Sequence, residues 1–322
     1  MDWQSRPVVV TGASGFVGSH LVEHLLKLGA DVTAMVHGDP VYRPGHLRGL
    51  AHPSLRLAGG DLRDADSTRR LIAGADTVFH LGAITSVAYS YQHPEETVST
   101  NTLGTQHVCA AAREAGVRRL VHTSTAGVYG DALNDQPITE THRVMGCNPY
   151  TAGKLGGDFV AQSYYLSYDL PVCTVRLFNV FGPRMGRYLI MPTIIEQLLH
   201  SDELKLGDLT PTRTFTYVQD IVDAYLAMAA AEDVLGEVVH FGAQEIVTMG
   251  ELAERICARM GTPCRIVQDE SRLRPPKSEI YKIRVDNSKA SRLLGWHPTV
   301  SLDEGLDATI AWLRAAAGRE NL

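Results

Sequence analysis

The sequence lacks an excess of basic charge, a long apolar run and an apolar segment at its start. Its 322 residues contain 30 Lys and Arg against 36 Asp and Glu, which gives a formal net charge of −6. Nucleic acids and anionic membranes attract basic surfaces, so this balance argues against both as partners. No window resembles a membrane span, and residues 1–7 lack the apolar core of a signal peptide. We therefore predict a cytoplasmic protein.

Cysteine pairs and clusters of metal ligands are also scarce. The five cysteines are scattered and form no C-x-x-C pair, which predicts reduced thiols and no disulfide. They are Cys109, Cys147, Cys173, Cys257 and Cys264. His20 and His24 are four residues apart, as in some metal sites, but the nearby sequence offers no third ligand. We predict that the chain holds no metal.

What the sequence does contain is an alternation of short β-branched runs with longer amphipathic stretches. Repeated strand, crossover helix and strand units are the pattern of a parallel sheet that is covered on both faces. The chain is therefore predicted to be a doubly wound α/β protein. The strand-like runs are 7–11, 31–36, 55–58, 77–81, 119–123 and 172–177, and helix-like stretches lie at 17–28, 95–115 and 150–168.

The connection between the first strand and the first helix is rich in glycine. Gly12, Gly15 and Gly18 follow the spacing G-x-x-G-x-x-G, which permits a tight turn, a close approach to a pyrophosphate and close packing of helix on strand. The helix N–H groups then face the anion. The segment predicts a dinucleotide-binding Rossmann sheet, in which Ser14, Phe16 and Val17 also contact the cofactor.

Three later segments complete the predicted cofactor site. The second strand ends in His37, where an acid commonly binds the adenosine ribose of NAD. Because His37 or Arg43 could instead meet a ribose or a 2′-phosphate, NAD is expected and NADP is not excluded. Asp61 and Leu62 follow the third strand, and Leu81, Gly82 and Ala83 follow the fourth.

A candidate catalytic group lies near residue 150. Tyr150 and Lys154 are four residues apart, so they share one face of a helix. An ammonium and a cationic nicotinamide would favour the phenolate of Tyr150, which could then act as a base near neutral pH. Upstream, Thr125 ends the fifth strand with a hydroxyl that could orient a substrate, and Thr123 lies beside the predicted cofactor.

These motifs together resemble the extended short-chain dehydrogenases/reductases that act on nucleotide sugars, which are NAD-dependent epimerases and dehydratases. The resemblance covers nearly the whole chain and is greatest to UDP-N-acetylglucosamine 4,6-dehydratases of the legionaminic acid type. It implies that Thr125, Tyr150 and Lys154 form the catalytic triad. It further implies that Asn179, Arg213 and Arg274 contact the nucleotide diphosphate and that Ser86 and Ala126 lie at the sugar. The segments that carry it are 11–20, 60–62, 81–83, 121–130, 150–154, 176–184, 211–220, 272–275 and 286–290.

After about residue 180 the chain is broken by Gly182-Pro183 and becomes richer in Pro and Arg, which predicts a second domain, and the resemblance implies a homodimer. We predict that residues 1–180 form the Rossmann domain, with elements near 214–242 returning to it. Residues 181–322 are predicted to form mainly a smaller mixed α/β domain that binds the nucleotide sugar. Gly153, Gly156 and Gly157 lie in one predicted helix and indicate a close approach by another backbone, the cofactor or a partner helix.

The sequence departs from the dehydratases immediately after Thr125. Dehydratases carry Asp-Glu or Ser-Glu at the two positions that Ala126 and Gly127 occupy here, and neither of these can transfer a proton. Epimerases of this family need no acid there, so we predict epimerisation at C4 through a transient ketone. Two alternatives stay open: a dehydratase with a displaced acid, or a cofactor-sensing regulator without catalysis. Candidates for the displaced acid are Cys147, His122 and Glu140.

Overall fold

A seven-stranded parallel sheet in the order β10-β6-β5-β4-β1-β2-β3 organises the chain. The computed structural model describes residues 1–130, 136–273 and 280–320. The predicted α/β fold class is confirmed, and β1 and β6 have the predicted bounds. The strands are β1 (Pro7–Thr11), β2 (Asp31–His37), β3 (Leu55–Gly60), β4 (Thr77–His80), β5 (Arg119–Thr125), β6 (Val172–Leu177), β7 (Asn179–Phe181), β8 (Glu203–Leu206), β9 (Thr212–Tyr217), β10 (Val238–Phe241), β11 (Ile246–Thr248) and β12 (Arg265–Gln268).

Helices cover both faces of this sheet, as alternating side chains require. Val8 and Val10 pack with helices on one face, whereas Val9 packs on the other, because successive strand residues point to opposite sides. The helices are α1 (Phe16–Lys27), α2 (Ala65–Ile72), α3 (Val87–Gln92), α4 (Pro94–Val98), α5 (Gly104–Ala115), α6 (Pro149–Tyr168), α7 (Ile190–Leu198), α8 (Val218–Ala230), α9 (Met249–Met260), α10 (Ser288–Leu294) and α11 (Leu302–Glu320). None of the helices in these ranges is long and apolar enough to cross a membrane.

A second apolar core lies among α7, α9 and α11. It contains Met191, Ile194, Leu252, Ile256 and Leu306, which are buried. Two small sheets accompany it, one in the order β11-β9-β7 and one of β12 and β8. The return of β10 to the large sheet interleaves the two parts of the chain. Their division into domains stays a prediction.

The stretch predicted as one helix over 95–115 is interrupted. A π-helical turn, Ser99–Leu103, separates α4 from α5. At this turn the Asn101 side chain accepts a hydrogen bond from the backbone N–H of Ile84 and donates one to its carbonyl, both at 2.9 Å. Wider π turns commonly occur at functional sites. Here the turn lets Asn101 hold the loop that follows β4.

The glycines of α6 allow this interrupted helix to approach closely. A Cβ on Gly153 would lie 3.1 Å from the Cβ of Asn101, and one on Gly157 would lie 3.0 Å from the Asn101 carbonyl oxygen. On Gly156 a Cβ would lie 2.5 Å from the hydroxyl of Thr102. The sequence predicted that another group comes close to these glycines. In the structure that group is the π turn of the same chain, through Asn101 and Thr102.

The prediction of reduced cysteines is wrong for one pair. Cys257 and Cys264 form a disulfide, with their Cα atoms 6.3 Å apart. Gly261 caps the C-terminal end of α9, and its positive φ of 68° turns the chain back toward the helix and brings Cys264 to Cys257. Cys109 and Cys173 are buried thiols, and burial raises the pKa of each to about 12.

Candidate active site

A cavity of about 1180 Å³ lies at the carboxyl ends of the parallel strands. Ligand sites in doubly wound sheets lie at this edge. The volume exceeds the range of about 300–1,000 Å³ for a single small-molecule pocket, so the cavity has room for two ligands. The predicted cofactor, catalytic and substrate residues that the structure describes line it, except Arg43, and Arg274 lies outside the described residues. The lining residues include Gly12, Ser14, Gly15, Phe16, Val17, Gly18, His37, Asp61, Leu62, Leu81, Gly82, Ala83, Ser86, Thr123, Thr125, Ala126, Tyr150, Lys154, Asn179 and Arg213.

The glycine-rich turn has the backbone geometry of a phosphate loop. Gly12 has a φ of 67°, and a Cβ there would lie 2.7 Å from the backbone nitrogen of Gly82. A Cβ on Gly18 would lie 2.3 Å from the carbonyl oxygen of Gly12. Helix α1 starts after Gly15 without a side-chain cap and without an acid in its first turn. Its N-terminus therefore suits an anion.

Beside this turn, an ion-pair cluster follows β3. The guanidinium of Arg63 binds both carboxylate oxygens of Asp61, with a shortest distance of 2.6 Å, and also contacts Glu96 at 3.3 Å. The Tyr89 hydroxyl donates to Glu96 at 2.6 Å. The hydrogen bond from Arg63 holds the pKa of Asp61 below its usual value. Sequence reasoning missed Arg63 and Glu96, although the neighbouring Asp61 was predicted.

Tyr150 and Lys154 project from the first turns of α6, whose start is fixed by a capping box of Asn148 and Thr151. A hydrogen bond joins the Tyr150 hydroxyl to the side chain of Thr125. Burial raises the pKa of Tyr150 to about 12, and this hydrogen bond opposes the rise. Lys154 is 3% exposed, and burial lowers its pKa to about 8. The three residues meet at one wall of the cavity.

The predicted substrate residues lie on other walls. Ser86 caps α3, and its hydroxyl accepts a hydrogen bond from the backbone of Tyr89. The Asn179 amide donates to the Thr214 carbonyl at 3.1 Å. The Arg213 guanidinium donates to the carbonyl of Thr212 at 2.9 Å. Among the cations that sequence reasoning did not assign, Arg184 and Arg272 also line the cavity.

None of the proposed displaced acids lines the cavity. His122 is fully buried and contacts Asp158. Glu140 accepts a hydrogen bond from the backbone of His240 at 2.9 Å, and the thiol of Cys147 donates to the carbonyl of Met145 at 3.6 Å. Within the described ranges, the carboxylates that line the cavity are those of Asp61, Glu96 and Asp208.

These carboxylates belong to parts of the wall other than the triad. Asp61 and Glu96 lie in the Arg63 cluster, and Asp208 follows β8 beside the second core. Residues Ala126–Tyr129 form a 3₁₀ turn directly after Thr125. The two residues after Thr125 are Ala126 and Gly127, so this part of the cavity wall has no acid. The described residues contain no cluster of three potential metal ligands, and His20 contacts the carbonyl of Pro183 at 3.0 Å.

Comparison with known proteins finds one family model and many relatives. The GDP-mannose 4,6-dehydratase model matches residues 9–309. The chain is 34% identical to a UDP-glucose 4-epimerase of Mycolicibacterium smegmatis, over 95% of this chain and 98% of the relative.

Two solved structures have a similar fold. One is a dTDP-glucose 4,6-dehydratase from Streptomyces venezuelae with NAD bound, with 32% identity, a TM-score of 0.87, and coverage of 97% of this chain and 98% of that one. The other is a UDP-glucuronic acid 4-epimerase from Bacillus cereus in complex with UDP-glucuronic acid and NAD. It has 28% identity, a TM-score of 0.88, and coverage of 96% and 99%. Dehydratases and epimerases thus both resemble this chain.

Proposed function

The chain belongs to the GDP-mannose 4,6-dehydratase family of extended short-chain dehydrogenases/reductases, and we propose that it is an NAD-dependent nucleotide-sugar epimerase acting at C4. The observation that carries the proposal is the composition of one cavity wall. Thr125, Tyr150 and Lys154 meet there, while Ala126 and Gly127 hold the positions at which the family's dehydratases carry acids. A wall of this kind can move the hydroxyl proton at C4 but offers no group for eliminating water.

The residues of the cavity fit NAD. A Cβ on Gly12 or Gly18 would collide with backbone atoms, so the phosphate loop keeps its close packing, and the start of α1 suits a pyrophosphate. His37 and Asp61 border the place for the adenosine, and Leu81, Gly82 and Ala83 line the wall between them and the triad. Similar solved structures have NAD bound, which supports NAD as the cofactor. No acid ends β2, so NADP stays an alternative.

Each triad residue has a role that follows from its contacts. Thr125 orients the C4 hydroxyl and steadies the phenolate of Tyr150, with which it already shares a hydrogen bond. Tyr150 removes the hydroxyl proton, and Lys154 favours the phenolate by its positive charge. NAD, held by the turn at Gly12–Gly18, would supply an acceptor for the C4 hydride and a donor of the same hydride. Tyr150 would keep the proton of the C4 hydroxyl while the ketone presents its other face, and would then return that proton to the C4 oxygen.

The experiment that tests this proposal is turnover of UDP- and dTDP-hexoses in deuterated water. We expect a mixture of the two C4 epimers, without deuterium at C5 and with the C6 oxygen retained. Only an elimination exchanges the C5 proton and loses the C6 oxygen. Mass spectrometry and NMR of the products distinguish the reactions, and accumulation of a 4-keto-6-deoxy sugar would show that the chain is a dehydratase.

The partners proposed with this function are a nucleotide-sugar substrate and a second copy of the chain. Location in the cytoplasm, and the lack of nucleic-acid and membrane partners, belong to the same proposal. Large exposed apolar side chains on α6 and on the π turn before α5 support the dimer. Leu103, Phe159 and Leu166 are 54%, 56% and 72% exposed. Phe159 and Leu166 are seven residues apart on α6 and so share one face of that helix, and an exposed apolar helix face is typical of a protein interface.

Charges placed on this surface are expected to separate the dimer. The variant with Phe159→Asp and Leu166→Asp should have the mass of one chain, whereas the unchanged protein should have the mass of two, because buried unpaired carboxylates oppose association. Light scattering after size-exclusion chromatography measures both. Val41→Asp, at a side chain that is 78% exposed elsewhere, is the matched control and should keep the dimer. An unchanged protein with the mass of one chain contradicts the proposal.

A further inference from the structure

A carboxylate that the proposed mechanism does not use lies directly behind the triad. Asp158 is one helical turn beyond Lys154 on α6 and is 6% exposed. Its carboxylate accepts hydrogen bonds from His122 at 3.1 Å, from Ser124 at 2.7 Å and from Arg176. His122 and Ser124 come from β5 and Arg176 from β6, so two strands converge on this one side chain. The group is buried in the space between the sheet and α6.

The contacts of Asp158 keep it ionised in spite of its burial. Burial alone raises the pKa of a carboxyl group, but the hydrogen bond from His122 and the charge of Arg176 hold that of Asp158 at about 2. Arg176 in turn donates to the hydroxyl of Tyr129, which bonds His240 at 2.7 Å. A buried negative charge with this many donors is costly to assemble, and it can be replaced by apolar residues without loss of stability in other proteins. Its presence beside the triad suggests a role in the site.

Lys154 is the nearby group that such a charge affects. Burial lowers the pKa of Lys154 to about 8, and the charge of Asp158 opposes this fall. Residues three or four apart on a helix lie close together, so α6 itself sets the distance between the two. A neutral Lys154 could not stabilise the phenolate of Tyr150.

The other ionisable groups around this cluster do not replace Asp158. His80 on β4 and His122 on β5 stack on each other, and burial lowers the pKa of both, so neither adds a charge at neutral pH. Burial also raises the pKa of Tyr129, which therefore stays neutral. Arg176 on β6 carries a positive charge that disfavours a second cation. Among Asp158 and these neighbours, the carboxylate of Asp158 is therefore the negative charge that favours the ammonium form of Lys154.

We propose that Asp158 is a positioning residue: its buried carboxylate, one helical turn beyond Lys154 on α6, keeps Lys154 in its ammonium form beside Tyr150. This inference rests on the proposed function, since it assigns Lys154 its task in the proton transfer. A role of Asp158 in the reaction differs from a role in folding alone, because only the first requires its charge to act on Lys154. In a purely structural role, the hydrogen bonds of Asp158 would join α6 to the sheet and its charge would have no effect on Lys154.

The charge is tested with Asp158→Asn. Removing a negative charge lowers the pKa of a neighbouring ammonium and of a neighbouring phenol, and Asp158 acts on both Lys154 and Tyr150. The alkaline limb of the pH profile of kcat, which reports loss of the Lys154 proton, is therefore expected to move to lower pH by about one unit. Asp158→Glu keeps the charge and should keep the limb in place. Loss of a merely structural contact would lower kcat at every pH without moving the limb.

A second variant tests the sign of the effect and does not depend on whether Asp158→Asn folds. Arg176→Gln removes the positive charge that faces Asp158, while the hydrogen bonds from His122 and Ser124 keep Asp158 ionised. The negative charge of Asp158 then acts on Lys154 without this opposing cation, so the alkaline limb should move to higher pH. Circular dichroism and thermal unfolding establish that each variant is folded. A folded Asp158→Asn or Arg176→Gln protein whose limb stays in the unchanged position overturns the inference.

A direct titration makes the test independent of turnover. The chain has only six lysines, so NMR of lysine labelled with ¹³C at Cε can resolve them, and Lys154→Met assigns the signal. We expect the Lys154 signal to titrate at lower pH in Asp158→Asn than in the unchanged protein, while the other lysines do not move. An unshifted Lys154 signal in the folded variant contradicts the inference even if epimerisation is observed. A shifted signal in a protein without epimerase activity contradicts only the proposed function.

Discussion

Replacing Tyr150 by phenylalanine is expected to lower turnover of the nucleotide sugar by a factor of about 10²–10⁴, the usual contribution of a general base. The change removes one hydroxyl and keeps the ring that lines the cavity. The hydroxyl is the group that bonds Thr125 and lies on the same helical face as Lys154. Cofactor affinity and folding should stay within a few-fold of the unchanged protein. Steady-state kinetics and calorimetric titration with NAD measure the two effects separately.

Tyr164→Phe is the matched control for this change. Tyr164 lies on the same helix, and its hydroxyl accepts a hydrogen bond from Gln106 at 3.3 Å, outside the cavity. Turnover by this variant should be unchanged. If Tyr150→Phe also turned over at the unchanged rate, the triad would have no catalytic role. The cofactor-sensing regulator would be the better interpretation only if the unchanged protein bound NAD and turned over no nucleotide sugar.

Local patterns in the sequence were sufficient to predict most of the sheet and the glycine-rich turn between β1 and α1. The run 172–177 and β6 coincide, because a buried parallel strand is a continuous apolar stretch that is visible without its neighbours. Gly12, Gly15 and Gly18 lie in the turn after β1 and in the first turn of α1, so their spacing in the sequence was enough to predict the shape of the turn. Tyr150 and Lys154 are likewise adjacent on one helix. Each of these features depends on residues that are close in the chain.

Features that depend on distant residues could not be predicted in this way. The partners of Asp158 lie 18 to 36 residues away on two strands, so no spacing rule indicates that they converge. The π turn before α5 exists where Asn101 reaches Ile84, a contact across 17 residues. The disulfide depends on the turn at Gly261, which the spacing of the cysteines does not reveal. The sequence shows that Asp158 follows Lys154 by four residues, but it does not show that Asp158 is buried.

The phosphate loop gives the second large effect, which is expected for Gly18→Ala. The added Cβ would lie 2.3 Å from the carbonyl oxygen of Gly12 and 2.9 Å from the Cα of Ala13. These are backbone atoms of the turn, so α1 must move away from β1. Overpacking of this kind costs about 1–3 kcal/mol. If the cost falls on binding, NAD affinity decreases about 5- to 150-fold, and otherwise it appears as a lower free energy of unfolding.

Gly250→Ala distinguishes this effect from that of alanine in a helix. Gly250 lies in the first turn of α9, and a Cβ there would meet no atom closer than 3.7 Å. Because alanine favours helix over glycine by up to about 1 kcal/mol, this variant should be as stable as the unchanged protein or slightly more stable. NAD affinity, measured by calorimetric titration, should not change. Equal NAD affinity and stability in Gly18→Ala and Gly250→Ala would mean that the loop does not need its close packing, and the proposed pyrophosphate site at the start of α1 would lose its structural basis.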